Sequence, residues 1–173
     1  MKIIDAQPSK PRPLYTAAQR ARRDASIWTN VQGVLALAQF AVFLVSTALV
    51  LRYLATGYGA EAAALSVVIK TLALYTIMVT GAIWEKEVFG RYLFAPVFFW
   101  EDVVSILVLT LHTAYLAALA GGLLETRAQF MLALAAYCVY VVNAGQFIVK
   151  LRRARLESGA GLATALDAGG GAG

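Results

Sequence analysis

The sequence predicts an all-α integral membrane four-helix bundle with both termini cytoplasmic. Three observations carry this reading. Hydrophobic residues make up 60% of the chain and charged residues only 14%, against about 25% charged in a soluble domain. Charge-poor apolar stretches recur at about 28–54, 62–84, 97–119 and 128–150, each near the roughly 20 residues that cross a bilayer. Basic residues bracket the apolar block: Lys2, Lys10, Arg12, Arg20, Arg22 and Arg23 precede it, and Lys150, Arg152, Arg153 and Arg155 follow it. The first and third connections carry little beyond Arg52 and Arg127. That asymmetry places both ends inside. The net charge of +5 then suits an anionic membrane surface rather than nucleic acid.

Residues 1–26 form a polar, basic N-terminal segment with Pro8, Pro11 and Pro13. No cleavable signal peptide is visible in it. Its first part reads as an irregular tail, and Thr16 reads as the N-cap of a helix lying along the membrane surface. The transmembrane domain is 27–155. In the first span Gln32, Gln39 and Ser46 recur at seven-residue spacing, which puts them on one face for interhelical hydrogen bonds. Thr56-Gly57-Tyr58-Gly59 signals a turn.

The second span carries Lys70, whose ammonium is expected to snorkel to the interface; facing inward to pair with a carboxylate is the alternative. Thr71, Tyr75, Met78 and Glu85 share a stripe of this helix. Glu85 to Ala95 reads as a charged loop ended by Pro96, which suits the first turn of the third helix. On the third span Glu101, Ser105, Val108, His112 and Tyr115 fall on one face. His112 is the chain's one histidine. It is either a functional group, as intramembrane ionisable residues commonly are, or a neutral imidazole bonded to a neighbouring helix. Asn143 and Gln146 share a face of the fourth span and suit packing within the bundle. Residues 156–173 are Gly- and Ala-rich and read as a disordered tail. Cys138 is the single cysteine, so no internal disulfide forms.

The chemistry concentrates between Tyr75 and Asp102. Glu85, Glu87, Glu101 and Asp102 are four of the ten acidic residues, and Trp84, Phe89, Tyr92, Phe94, Phe98, Phe99 and Trp100 surround them. Apolar walls disfavour an ionised carboxylate, and flat rings suit a flat, lipophilic ligand. The sequence has no Walker motif, paired-cysteine metal motif, GxSxG elbow or dinucleotide fingerprint. What remains is acid–base chemistry by Glu, Asp, His and Tyr in an aromatic pocket, which suits adding water to a double bond of a lipophilic substrate.

The segments RPLYTAAQRARRDASIWTNVQG, LVLRYLATG, KTLALYTIMVTGAIWEKEVFGRYLFAPVFFWEDVVS and LHTAYL together resemble the 3-vinyl bacteriochlorophyllide hydratase family, from Arg12 to about Arg155. The run IWEK, FG, LFAP, FFWED is the specific part, because it fixes rare Trp, Pro and acidic residues. One departure is VLALAQF, where the family's proline early in the first span is expected near Leu37.

The resemblance implies hydration of the C3 vinyl group of a (bacterio)chlorophyllide to a 1-hydroxyethyl group, in a multi-pass protein of the bacterial inner (photosynthetic, intracytoplasmic) membrane. It implies no cofactor, since the macrocycle itself delocalises the cation formed on protonation. Glu101 is then the first candidate proton donor and Glu85 the next. Asp102 orients water or stays ionised beside the cation. His112 either ligates the substrate's magnesium axially or shuttles the proton. Arg91 or Lys70 pairs with the substrate propionate. Trp84, Phe98, Phe99 and Trp100 wall the ring or form an interfacial belt, and Tyr75 and Tyr115 complete the binding candidates. The partners are the pigment, water and membrane lipid, with other pigment-synthesis enzymes or a second copy of the chain as further candidates. The rival reading is a non-catalytic membrane pigment- or quinone-binding or assembly protein, using the same aromatics and His112 without needing Glu101 and Asp102 as a pair.

Overall fold

The computed structural model describes residues 14–170, and the notes on residues 1–13 and 171–173 above lie outside them. The order is α1 (Ala17–Ala25), α2 (Ile27–Thr56), α3 (Ala60–Phe89), α4 (Phe99–Gly121) and α5 (Thr126–Gly170), all helix. Helices α2, α3 and α4, and α5 over Thr126–Leu156, are long and apolar enough to cross a membrane. The helix α5 continues through the Gly- and Ala-rich segment whose composition suggests no packed structure.

Helix α1 starts where the sequence places it. The Thr16 hydroxyl accepts from the Gln19 amide, and the Gln19 side chain accepts from the Thr16 amide. This reciprocal pairing satisfies two helix-start donors at once. At Ser26 the chain turns, and the Ser26 side chain caps α2 by accepting from Trp28 N–H.

Helices α2 and α3 pack antiparallel as a hairpin closed by left-handed Gly57 and Gly59. Side-chain bonds mark its register. Ser26 donates to Glu87, Trp84 Nε1 donates to Thr29, Gln32 donates to Thr80, and the Ser46 and Ser66 hydroxyls meet at 2.7 Å. The Gln32, Gln39 and Ser46 face therefore turns inward as expected, with Gln39 and Ser46 buried. A Cβ added at Gly81 would meet the Gln32 side chain at 3.5 Å, so this glycine faces α2 of the same chain.

Helices α4 and α5 form the second antiparallel hairpin. Lys150 pairs with Glu101, Asn143 Nδ2 donates to Ser105, and Tyr137 lies against His112. As one number rises the other falls, which is the signature of that register. The seam between the hairpins carries Tyr137 on Ser46 at 2.6 Å and Tyr75 on Thr113 at 2.8 Å. It also carries the apolar core of Phe43, Val50, Val67, Leu74, Val108 and Tyr140. The start of α2, the α3–α4 connection and the Lys150 region of α5 all lie at one end of the bundle.

Two features differ from the sequence reading. Glu85, Lys86 and Glu87 are helical, because α3 runs on to Phe89 and stops at left-handed Gly90, whose amide bonds back to Lys86 O. The non-helical connection is thus only 90–98. Pro96 stands in a turn ahead of α4, closed by Phe98 N–H on Ala95 O, rather than in the helix's first turn.

A methyl group added at Gly90 meets no atom within 4 Å, so its cost is that of a left-handed backbone alone, about 1–2 kcal/mol. Gly90→Ala is expected to lower stability by that amount in detergent thermal unfolding, and Gly90→Asn by less. Equal stability of all three proteins would show that the stop at Gly90 does not depend on its backbone freedom.

Candidate active site

The connection 90–98 brings two acids from different helices face to face. Glu85 sits one turn before the end of α3, and Asp102 sits in the first turn of α4. Both carboxyls are buried and converge on consecutive residues of the loop. Each also holds the loop: Phe94 N–H donates to Asp102 Oδ2 at 2.7 Å, and Ala95 N–H donates to Glu85 Oε2 at 3.2 Å. Phe94 is the described non-glycine residue with positive φ, at 59°. A left-handed aromatic is a costly backbone, and such strain persists only where neighbours over-determine it. Here the two acids supply that hold. Two buried carboxyls set close together cannot both be ionised at low cost.

Glu101 is next to this pair but differently partnered. Lys150 Nζ lies 2.5 Å from Glu101 Oε2 and also donates to Val97 O. The ammonium stands 4.8 Å from the centre of the Phe98 ring. Glu85, Glu101 and Asp102 are all buried. Three acids at one helix junction therefore divide into a pair that holds the loop and a carboxylate paired with a lysine. Asp102 and Glu101 also lie in the first turn of α4, where the helix dipole favours negative charge.

An aromatic box closes the inner side. Phe98 is 4% exposed and meets Trp84, Phe89, Tyr15 and Phe147 with ring centroids 5.6–6.5 Å apart. The outer side is open. Phe99 is 43% and Trp100 68% exposed, and the two rings meet edge to face at 5.5 Å. Phe94 packs on Phe99 at 5.7 Å. Arg91 is exposed beside them and bonds Phe94 O at 3.3 Å. So Phe98 and Trp84 belong to the packed wall, while Phe99, Trp100 and Arg91 form an accessible edge next to the acids.

The remaining candidates lie elsewhere. His112 and Tyr115 are 0% exposed. At 1.5 Å per residue, His112 stands about 16 Å from Glu101 along α4. Lys70 is 0% exposed too, with Nζ 3.8 Å from the Tyr140 ring centre. The snorkelling expectation is corrected by this burial: the side chain points into the bundle, where an aromatic face offers the cation partial compensation. Tyr75 reaches across the seam to Thr113. Glu87, read as a loop residue, accepts from Ser26 and ties α2 to α3. No cluster of three metal-ligating side chains occurs among the described residues.

The sequence reading missed Lys150, Tyr15 and Phe147 as parts of this site. For Lys150 a signal existed: Asn143, Gln146 and Lys150 recur at helical spacing, so the face assigned to Asn143 and Gln146 continues to Lys150. The cluster of basic residues that follows it hid that continuity. Tyr15 stands just before the Thr16 cap and stacks on Phe89 at 5.9 Å. Burial pushes its phenol above the ordinary value, against the opposing pull of Arg23 over the ring.

Comparison with known proteins gives this arrangement a setting. A family model described as 2-vinyl bacteriochlorophyllide hydratase (BCHF) matches residues 15–153. Two curated relatives carry the name 2-vinyl bacteriochlorophyllide hydratase. The protein of Cereibacter sphaeroides is 63% identical over 155 residues, covering 87% of this chain and 96% of that protein. The protein of Rhodobacter capsulatus is 63% identical over 145 residues, covering 84% of each. No solved structure matches. The matched region begins at the aromatic box and ends just past the lysine that holds Glu101, and by that match the chain belongs to the 2-vinyl bacteriochlorophyllide hydratase family.

Proposed function

We propose that this enzyme, a hydro-lyase of bacteriochlorophyll synthesis, adds water across the peripheral vinyl group of a bacteriochlorophyllide at the junction of α3 and α4. The vinyl position is 2 in the family's name and C3 in the numbering used above. The observation that carries the reading is the convergence of buried Glu85 and Asp102 on the amides of Ala95 and Phe94 beside an aromatic edge, an arrangement in which two acids can share a transferable proton.

The chemistry needs a proton donor, a water and shelter for a cation. The shared proton of the Glu85–Asp102 pair goes to the terminal vinyl carbon, giving a methyl group and a cation at the inner carbon conjugated with the macrocycle. Water bonds to that inner carbon. Its surplus proton returns to the carboxylate pair, so the acid is regenerated and the net change is one water added. This moves the donor role from Glu101 to the pair. Glu101, held in place by Lys150, stabilises the cation electrostatically, as fixed charges in a water-poor site do.

The flat pigment rests on the exposed edges of Phe99 and Trp100, and Arg91 meets its propionate. The bundle end bearing this site faces the cytoplasm of a bacterial inner membrane, in line with the flanking basic residues. His112 and Lys70 are too far from this end, and too enclosed, to touch a pigment lying there. A pigment-binding role without catalysis would leave the proton-sharing acids without a task beyond holding the loop.

Glu85→Gln and Asp102→Asn should each cut turnover by about 100-fold or more, the usual worth of a positioned general acid. The assay incubates membranes with a vinyl bacteriochlorophyllide and follows the blue shift of the long-wavelength band as conjugation shortens, checked after pigment extraction. Near-normal turnover in both variants would remove the acids from the chemistry and leave them as loop anchors. Lys150→Met strands a buried carboxylate and should cost about 3 kcal/mol in thermal unfolding. Adding Glu101→Gln should recover most of that loss; no recovery would mean the lysine acts mainly through Val97 O.

A further inference from the structure

The α4–α5 interface, with Lys70 of α3 against it, carries buried polar atoms without hydrogen-bond partners. Among the described residues these include Gln146 Oε1, Asn143 Oδ1, His112 Nε2, Tyr115 OH and Lys70 Nζ. They follow the register of the hairpin. Gln146 lies one turn from Lys150, Asn143 bonds Ser105, Tyr137 lies against His112, and Tyr140 lies under Lys70. Lys70 and His112 meet neighbouring rings on α5, Tyr140 and Tyr137, one turn apart. The atoms therefore run from the carboxyl pocket toward the bundle centre.

Their hydrogen-bonding types decide what can serve them. His112 Nδ1 lies 2.8 Å from Val108 O. A carbonyl only accepts, so Nδ1 carries the proton and Nε2 of the neutral ring is an acceptor. The two amide oxygens are acceptors as well. Lys70 Nζ is a donor, and Tyr115 OH can act both ways. Acceptors cannot bond one another. An anion would satisfy Lys70 and Tyr115 and leave the three acceptors unmet. A metal cation would suit the acceptors and be repelled by Lys70. An organic ligand has no opening to His112, Tyr115 or Lys70, all 0% exposed. Water both donates and accepts, and it is the small molecule that meets the whole set. Buried waters typically make about three such bonds, while a buried polar group left unpaired costs about 1–3 kcal/mol.

We infer that a file of ordered waters lies along the α4–α5 interface, joining the carboxyl pocket to His112 and Lys70 at the bundle centre. Its members bridge Gln146 Oε1, Asn143 Oδ1, His112 Nε2, Tyr115 OH and Lys70 Nζ. Protons of the central lysine exchange along it rather than through lipid. This stands independently of the hydration mechanism.

The test is water-edited solid-state NMR of the full chain, 15N-labelled, in phospholipid vesicles. Magnetisation from water should reach the His112 ring and the Lys70 ammonium on the timescale seen for exposed Lys86. Silence at both, with Lys86 responding, overturns the file. Asn143→Leu should cut the transfer to His112 severalfold while leaving Lys86 unchanged, and Gln146→Met serves if that variant does not fold. Unchanged transfer in the folded variant overturns the route along α4–α5. Signals of Lys70 that move saturably with added chloride would replace water by an anion and overturn it equally.

Discussion

The joint hold of Glu85 and Asp102 on the loop 90–98 is the constraint on which this end of the molecule depends. It joins the last turn of α3 to the first turn of α4, and it supplies acceptors for the two loop amides that would otherwise be buried without partners. An unpaired backbone amide is as expensive as a lost hydrogen bond. The acids therefore fix the course of 90–98, including left-handed Phe94. Loop shape and acid chemistry are not separable here: the bonds that hold the loop also hold the carboxyls in register.

Glu101 shows how the same neighbourhood produces a different carboxylate. It is one residue from Asp102 and equally buried, yet it faces α5 and meets Lys150. Successive residues on a helix point about 100° apart. One acid thus turns toward α3 and a second acid, the other toward α5 and a cation. A pair of adjacent acids in sequence becomes two groups with different partners, a lysine for Glu101 and a loop amide for Asp102.

Much of this was legible in the chain. The spans follow from hydropathy, the start of α1 from Thr16 and Gln19, and the inward face of α4 from the spacing of Glu101, Ser105, Val108, His112 and Tyr115, all of which are buried. What was not legible has physical causes. The reach of α3 past Trp84 is hidden because Glu85, Lys86 and Glu87 look like loop composition, although charged residues form good helices. Lys70 misled because exposure of a cation is the cheaper general solution, and only the packed neighbours show that Tyr140 receives it. The ion pair of Glu101 with Lys150 spans 49 positions of sequence separation, and spacing on one helix says nothing about which residue of another helix it will meet.

The division into two hairpins has a consequence for how the protein is made. A ribosome-bound chain that has threaded α2 and α3 already has the Ser26–Glu87, Thr29–Trp84, Gln32–Thr80 and Ser46–Ser66 contacts available. Glu85 at that moment has neither Asp102 nor the Ala95 amide. On the first hairpin alone, Glu85 thus lacks the loop bond that it makes in the complete bundle. The geometry of this junction is therefore complete only when both hairpins have docked.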